Sequence, residues 1–339
     1  MAMRSTSGKI AAEGPAAQAT GAVPIYRRLF QRQEFGVFLV LVLISVFFSV
    51  STTTFLTMPN MLNVLRQVSI NGIIVMAMTF VIITRDIDLS IGSTFALVSM
   101  SVAILFNTHG MNIWLASLIG LILGGLLGLI NGIITVKGQL PPFIVTLASM
   151  MIYRGMALVV SGGVPAAVRL PDSFFMLTGA RLWGRIPVPS LWFLGATIVA
   201  GFVLHKTSYG FKVYAVGGSA EAARLAGINT DRVRITNFVI IGVISGLAGI
   251  ISMSYLSSVT PTVGQGIETQ VIAATVLGGT SMLGGVGTIL GSMLGALVLG
   301  IIRNGLVLMG TSAYWIELIT GVVLVLAVLV SSYSHREKR

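Results

Sequence analysis

Apolar runs, each interrupted by a few polar, glycine or proline residues, recur along most of the chain and set its architecture. The first is FGVFLVLVLISVFFSV at 35–50, and its successors place further spans in order. The pattern predicts helices over about 34–52, 62–84, 88–106, 112–136, 141–161, 190–205, 236–257, 268–283, 286–308 and 313–331. Most come near the ~20 residues an α-helix needs to cross a bilayer's hydrocarbon core. The expected fold class is therefore all-α: a polytopic membrane protein with about ten transmembrane helices, some short or broken. The 268–283 span is the weakest of the ten, because VIAATVLGGTSMLGG is short and glycine-rich, with a re-entrant element as the alternative.

Composition agrees. The 339 residues are 55% hydrophobic and 9% charged, with a mean hydropathy of +0.95; soluble domains carry about a quarter charged residues. Residues 34–332 read as one membrane domain with two polar loops, at 162–189 and 206–235. Residues 1–33 form an Ala-, Gly- and Ser-rich tail expected to be disordered and cytoplasmic, and 333–339 a basic cytoplasmic C-terminus. The first apolar run is not followed by a small-residue cleavage site, so it reads as a retained span.

A net charge of +11 raises nucleic acid as a partner, but the basic residues are dispersed beside apolar runs, and topology accounts for them better. With ten spans, fifteen Lys and Arg fall on the side of the termini and four (Arg66, Arg169, Arg181, Arg185) on the other, with Arg154 and Arg303 inside spans. That bias puts both termini in the cytoplasm. There is no cysteine, and His109, His205 and His335 lie far apart, which leaves metal chemistry without support.

Glycine supplies the packing signal. Gly120, Gly124 and Gly128 recur every fourth residue, as do Gly287, Gly291 and Gly295, so each set lies on one helix face and admits a close neighbour within the bundle or in a second copy. INGII occurs at 70–74 and 130–134, with IRNGL at 302–306 as a looser echo. Internal duplication and chance explain this equally well.

Polar chemistry concentrates at a few places. The 162–189 loop has four prolines, three arginines and one acid, suiting an irregular cap, a plain connector or a docking surface. In the 206–235 loop, Ser219 can cap a short helix in which Glu221 suits the N-terminal dipole, Ala222, Ala223, Arg224 and Leu225 favour helix, and Gly227 can end it. About two turns long, it needs support from the bundle or from a partner. In ITRDIDLSIGS (83–93), Asp86 and Asp88 are either gate residues or structural ones. In the structural reading Arg85 pairs with a carboxylate, and Asp88 or Ser90 starts the next helix. Asn71, Thr79, Asn131, Thr146, Ser149 and Asn304 are candidates for the pore or for interhelical hydrogen bonds, and Phe143 and Tyr153 for stacking on a ligand or for packing.

GGSAEAARLAGI (217–228) resembles the Glu-Ala-Ala cytoplasmic loop of ATP-binding-cassette importer permeases, with Glu221, Ala222, Ala223 and Gly227 at the motif positions. MTFVIITRDIDLSIGS (78–93), TSYGFKVYAV (207–216), VIAATVLGGTSMLGGVGTILGSMLGALVLG (271–300) and RNGLVLMG (303–310) resemble the monosaccharide, ribose-type branch over about residues 35–332. The resemblance implies the importer permease fold in the bacterial inner membrane, transporting a monosaccharide or small polyol by alternating access. It implies three partners: a cytoplasmic ATPase with two fused nucleotide-binding modules, a periplasmic sugar-binding protein, and a second permease subunit, most simply an identical one. By the same analogy residues 219–228 are the coupling helix. No phosphate-binding G-x-x-x-x-G-K-[ST] loop is found, so ATP and Mg are expected on the ATPase, with no cofactor in this chain and no enzymatic activity of its own. Nucleoside and branched-chain amino acid permeases are near alternatives; an ion-coupled secondary transporter or a membrane scaffold are distant ones.

Overall fold

The helices begin and end where local chemistry dictates. The computed structural model describes residues 33–312 and, beyond them, residues 315, 318, 319, 321, 322 and 325. Residues 1–32 of the expected tail, most of the span expected at 313–331 and the 333–339 terminus lie outside the described residues. In chain order the membrane helices are α1 Gln33–Ser51, α2 Met58–Ile83, α3 Ile91–Asn107, α4 Ile113–Lys137 and α5 Pro142–Ser161. The 162–189 loop is built from β1 Ala166–Ala167, α6 Asp172–Thr178, β2 Arg181–Leu182 and β3 Ile186–Pro187. Next come α7 Val188–Lys206, α8 Ser208–Gly218, α9 Ala220–Leu225, α10 Thr230–Leu256, β4 Ser258–Val259, α11 Ile267–Leu277 and α12 Ile289–Leu308. Proline occupies the first turn of α2, α5 and α7, where a missing N–H costs nothing. The Asn112 side chain accepts from Trp114 N–H to cap α4, and Asn229 accepts from Arg232 N–H to cap α10. That second cap starts α10 six residues before the apolar run at 236 and turns Arg234 into a helical residue.

Seven described helices are long and apolar enough to cross a membrane, and α3 and α11 are shorter apolar helices. The fold is all-α and polytopic, and among the described residues the strands form two-residue ladders: β1 pairs antiparallel with β4, and β2 with β3. In the description that follows, the upper end of the bundle carries the 162–189 loop and the lower end carries α8 and α9.

α2 is the central element. Every residue from Gly72 to Ile83 is buried, as is every residue of α3 from Ile91 to Met100, the signature of helices apolar all round. α1, α4, α5 and α7 instead turn large apolar side chains outward, among them Leu43, Ile122, Met151 and Phe202. The α4 glycines pack within the bundle. A Cβ on Gly124 would collide with the Gly242 carbonyl, and one on Gly128 with the Phe238 carbonyl, so α4 and α10 meet backbone against backbone. Gly291 and Gly295 do the same for α12 against Gly278, just past the end of α11, and Ala274 within it.

The segment expected as a span at 268–283 takes a different course. After Ser257 closes α10 with a left-handed backbone and β4 pairs with β1, residues 260–266 turn back into the bundle. There Arg154 Nη1 donates to the Pro261 and Val263 carbonyls at 2.9 and 2.8 Å, and Gly264 packs against Gly92 so closely that neither has room for a side chain. α11 thus starts inside the protein and runs for 11 residues, about 16 Å at 1.5 Å per residue, roughly half of a ~30 Å hydrocarbon core. Gly279, at φ +91°, ends it, and residues 278–288 form a coil at the lower end.

Candidate functional site

Three non-helical or short segments converge at the lower end: the 84–90 turn between α2 and α3, the α8–α9 region, and the 278–288 coil. Asp86 anchors the first. Its carboxylate is fully buried and receives two hydrogen bonds from Arg234, Nη2 to Oδ1 at 2.6 Å and Nε to Oδ2 at 2.9 Å. Arg234 sits near the N-terminus of α10, where the helix dipole disfavours a cation, and the bidentate carboxylate offsets that. Above the pair, Asn237 Nδ2 donates to the Phe80 carbonyl (3.1 Å) and to Thr84 Oγ1 (3.0 Å), while Tyr209 Oη donates to Asn237 Oδ1 (2.7 Å). α2, α8 and α10 are thereby locked together through polar groups.

Arg85 differs from the sequence expectation. Among the described residues it pairs with no carboxylate; instead its left-handed backbone (φ +66°) points the guanidinium at the end of α8, where Nε and Nη2 donate to the Gly217 and Gly218 carbonyls at 2.8 and 2.7 Å. Gly217 is pressed against the Ile83 carbonyl, and a Cβ there would also lie 2.6 Å from Gly285 N. Gly285 N–H donates to the same Ile83 carbonyl at 2.9 Å, and Tyr214 Oη donates to the Gly287 carbonyl at 2.7 Å. Burial pushes the Tyr214 phenol up to about 12 and raises that of Tyr209 as well, so both remain neutral donors.

α9 follows directly. Ser219 caps it by accepting from Ala222 N–H (3.2 Å), and Glu221 lies exposed in the first turn. Gly227, at φ +81°, closes it with a paired ending: Ile228 N–H donates to the Ala223 carbonyl and Gly227 N–H to the Arg224 carbonyl, both at 2.9 Å. Ala223 is buried, Arg224 Nε donates to Thr230 Oγ1 (3.0 Å), and Leu225 is 86% exposed. The six-residue helix is therefore fastened on one side and presents an apolar tip on the other. Its outer ion pairs, Lys137–Asp231 (3.1 Å) and Arg224–Asp231 (3.7 Å), are exposed and add little.

Deeper in the bundle, Asp88 has different partners from Asp86. Its Oδ1 accepts from Ser90 N–H (2.8 Å) and Ser90 Oγ (2.6 Å). Asn131 Nδ2 donates to Ser90 Oγ, and Tyr153 Oη donates to Asn131 Oδ1, both at 2.9 Å. The result links α3, α4 and α5 around a buried acid; Ser90 holds the N-cap position of α3 without a side-chain cap bond of its own. Asn71 Nδ2 donates to Gln270 Oε1 (2.9 Å), which Arg303 also reaches at 3.3 Å. Asn304 and Asn60 exchange amide hydrogen bonds at 2.9 Å in both directions, and Thr79 Oγ1 donates to Ser292 Oγ at 2.8 Å. Thr146 Oγ1 reaches the Ile87 carbonyl at 3.3 Å, Ser149 is buried, and Phe143 faces outward. The sequence candidates thus fall into separate interhelical contacts rather than one cluster. What reading the sequence missed is Arg234, Asn237 and the carbonyl-binding role of Arg154. The signal available for Arg234 was Asn229, whose N-cap chemistry carries the helix back over it.

A bundle of apolar helices containing a half-helix that starts inside the protein, floored by a welded polar junction, defines a polytopic membrane permease. A family described as "Branched-chain amino acid transport system / permease component" matches residues 60–328, and the chain belongs to it. The chain is 42% identical over 298 residues to the ribose import permease protein of Bacillus subtilis (strain 168), covering 88% of this chain and 92% of that protein. It is 39% identical over 294 residues to the ribose import permease protein of Escherichia coli (strain K12), covering 86% and 91%. With the L-arabinose ABC transporter permease protein of Azospirillum brasilense it shares 36% over 305 residues, 90% of this chain and 89% of that one. No solved structure matches.

Proposed function

We propose that this chain is the membrane-spanning permease subunit of an ATP-driven importer that carries a monosaccharide across the bacterial inner membrane by alternating access. The observation that carries the reading is similarity, over 86–90% of the chain, to two ribose import permeases and an arabinose permease. The lower junction supplies the mechanics. A short helix tied through Gly217 and Gly218 to Arg85, and flanked by the Asp86–Arg234 pair, can pass a displacement at α9 to α2, α3, α10 and the coil under α11.

In this reading α9, with Ser219, Glu221, Ala222, Ala223, Arg224, Leu225 and Gly227, enters a groove of a cytoplasmic ATPase whose two fused modules hold ATP and Mg. Both termini are cytoplasmic, a periplasmic sugar-binding protein docks at the upper end, and two identical permease subunits enclose the path. Asp86, Asp88, Asn71, Asn131 and Asn304 act at that path by holding its walls in register.

The test is reconstitution of the chain in vesicles with its ATPase and binding protein, followed by labelled ribose and arabinose uptake. ATP-dependent accumulation of one of them is expected. Accumulation driven by a proton or sodium gradient without the ATPase would replace this reading with a secondary transporter, and uptake of nucleosides or branched-chain amino acids instead would move the substrate class.

A further inference from the structure

The upper end contains a groove of about 420 Å³ between the start of α2 and the β2–β3 hairpin. Arg66 and Arg181 line it together with Thr57, Asn63, Leu62 and Pro187, and no acidic side chain does. Arg66 is held in place: Nη2 donates to Asn63 Oδ1 at 2.6 Å, and the guanidinium lies 4.7 Å from the centre of the Tyr255 ring. Both neighbours are neutral. Among the described residues neither arginine has a carboxylate within ion-pair distance. Two cations face one cavity, and no described carboxylate balances them.

The surroundings are apolar and open outward. Trp183, at the tip of the hairpin, is 82% exposed, and Met176 and Leu177 of the preceding α6 are exposed too. From Pro187, at the edge of the groove, α7 runs down the bundle presenting Leu194, Ile198, Val199 and Phe202 outward. A tryptophan flanked by arginines at the end of an apolar helix is the composition of a membrane–water interface. A ligand complementary to both parts has an anionic head and a long apolar body.

We propose that this groove seats the phosphate headgroup of an anionic phospholipid, with Arg66 and Arg181 on the phosphate, Trp183 at the headgroup level and the acyl chains along α7. Arg guanidinium groups suit phosphate because their N–H groups match its oxygens. The site does not depend on which substrate the permease carries.

The experiment uses the full chain purified in a neutral detergent and incubated with dioleoyl phosphatidylglycerol, dioleoyl phosphatidylcholine or the water-soluble sn-glycerol 1-phosphate. Retained lipid is measured by native mass spectrometry and unfolding by a thermal scan. Phosphatidylglycerol is expected to be retained preferentially and to raise the unfolding temperature, with retention falling at least about tenfold in an R66Q/R181Q variant. R181Q alone, which removes an exposed side chain, is expected to give an intermediate loss and serves if the double variant unfolds. Equal retention of the two lipids would overturn the proposal and leave the groove to an acidic surface of a soluble protein. Equal stabilisation by glycerol phosphate would make it a soluble-anion site, and phosphatidylglycerol retention unchanged in R181Q would also overturn it.

Discussion

Asp86 and Arg234 stand 148 positions apart in sequence and meet through two hydrogen bonds of 2.6 and 2.9 Å, the carboxylate fully buried. This contact joins the α2–α3 turn to α10. Removing Arg234 leaves the buried Asp86 carboxylate alone, a change that costs about 3–5 kcal/mol in comparable sites, and removing Asp86 leaves a partly exposed Arg234 at a smaller cost. D86N and R234Q are each expected to lower the unfolding temperature and abolish uptake, while the D86N/R234Q double variant recovers part of the stability. A thermal scan of all three variants checks this, and additive losses would disprove the coupling.

Gly217 is expected to tolerate no side chain. A Cβ there collides with the Ile83 carbonyl and crowds Gly285 N, both backbone atoms that cannot rotate away. G217A should cost more stability than G218A, since Gly218 has open space around its Cβ direction. Comparison of the two unfolding temperatures decides it.

At Gly227 the constraint is conformational rather than steric. Its φ of +81° with nothing nearby means that alanine is strained by about 1–2 kcal/mol. G227A is expected to fray the end of α9 and weaken ATPase binding in a pull-down, and G227N, which accepts a left-handed backbone more readily, to do so less.

Arg154 holds the segment that returns into the bundle through two carbonyls reached by one nitrogen. R154M is expected to speed amide hydrogen exchange across 260–268 without altering α2. An unchanged exchange pattern would show that the glycine contacts alone secure the segment.

High pH probes the lower junction. The Tyr214 phenol, raised to about 12 by burial, stays protonated in the folded protein between pH 10 and 12 while an unfolded phenol, with its ordinary value near 10, ionises. The folded state then binds more protons, so stability falls as pH rises through that window. Y214F should lose the hydrogen bond to the Gly287 carbonyl and flatten the alkaline decline, measured as unfolding temperature against pH.

Much of this was legible in the sequence. The apolar runs locate α1 to α5, α7 and α12 to within a few residues, and of the fourfold glycines Gly124, Gly128, Gly291 and Gly295 meet backbone, whereas Gly120 meets Val102 and Gly287 lies in the coil before α12. Ser219 and Gly227 bracket α9 as their chemistry requires. The course of 260–277 was not legible, because hydropathy reports whether a segment prefers an apolar surrounding and not how deep it starts; only the carbonyl bonds from Arg154 fix that. Nor could spacing match Asp86 to Arg234 rather than to adjacent Arg85, since the choice rests on the positive φ at Arg85, which swings its side chain toward Gly217.

The glycine seam between α4 and α10 has one further consequence. Where Gly124 meets Gly242 and Gly128 meets Phe238, main chain rests on main chain. No rotamer change can absorb sliding there, since there is no side chain to turn. At these two points the helices are held main chain to main chain, and a cycle that opens and closes this bundle is expected to carry α4 and α10 as one unit.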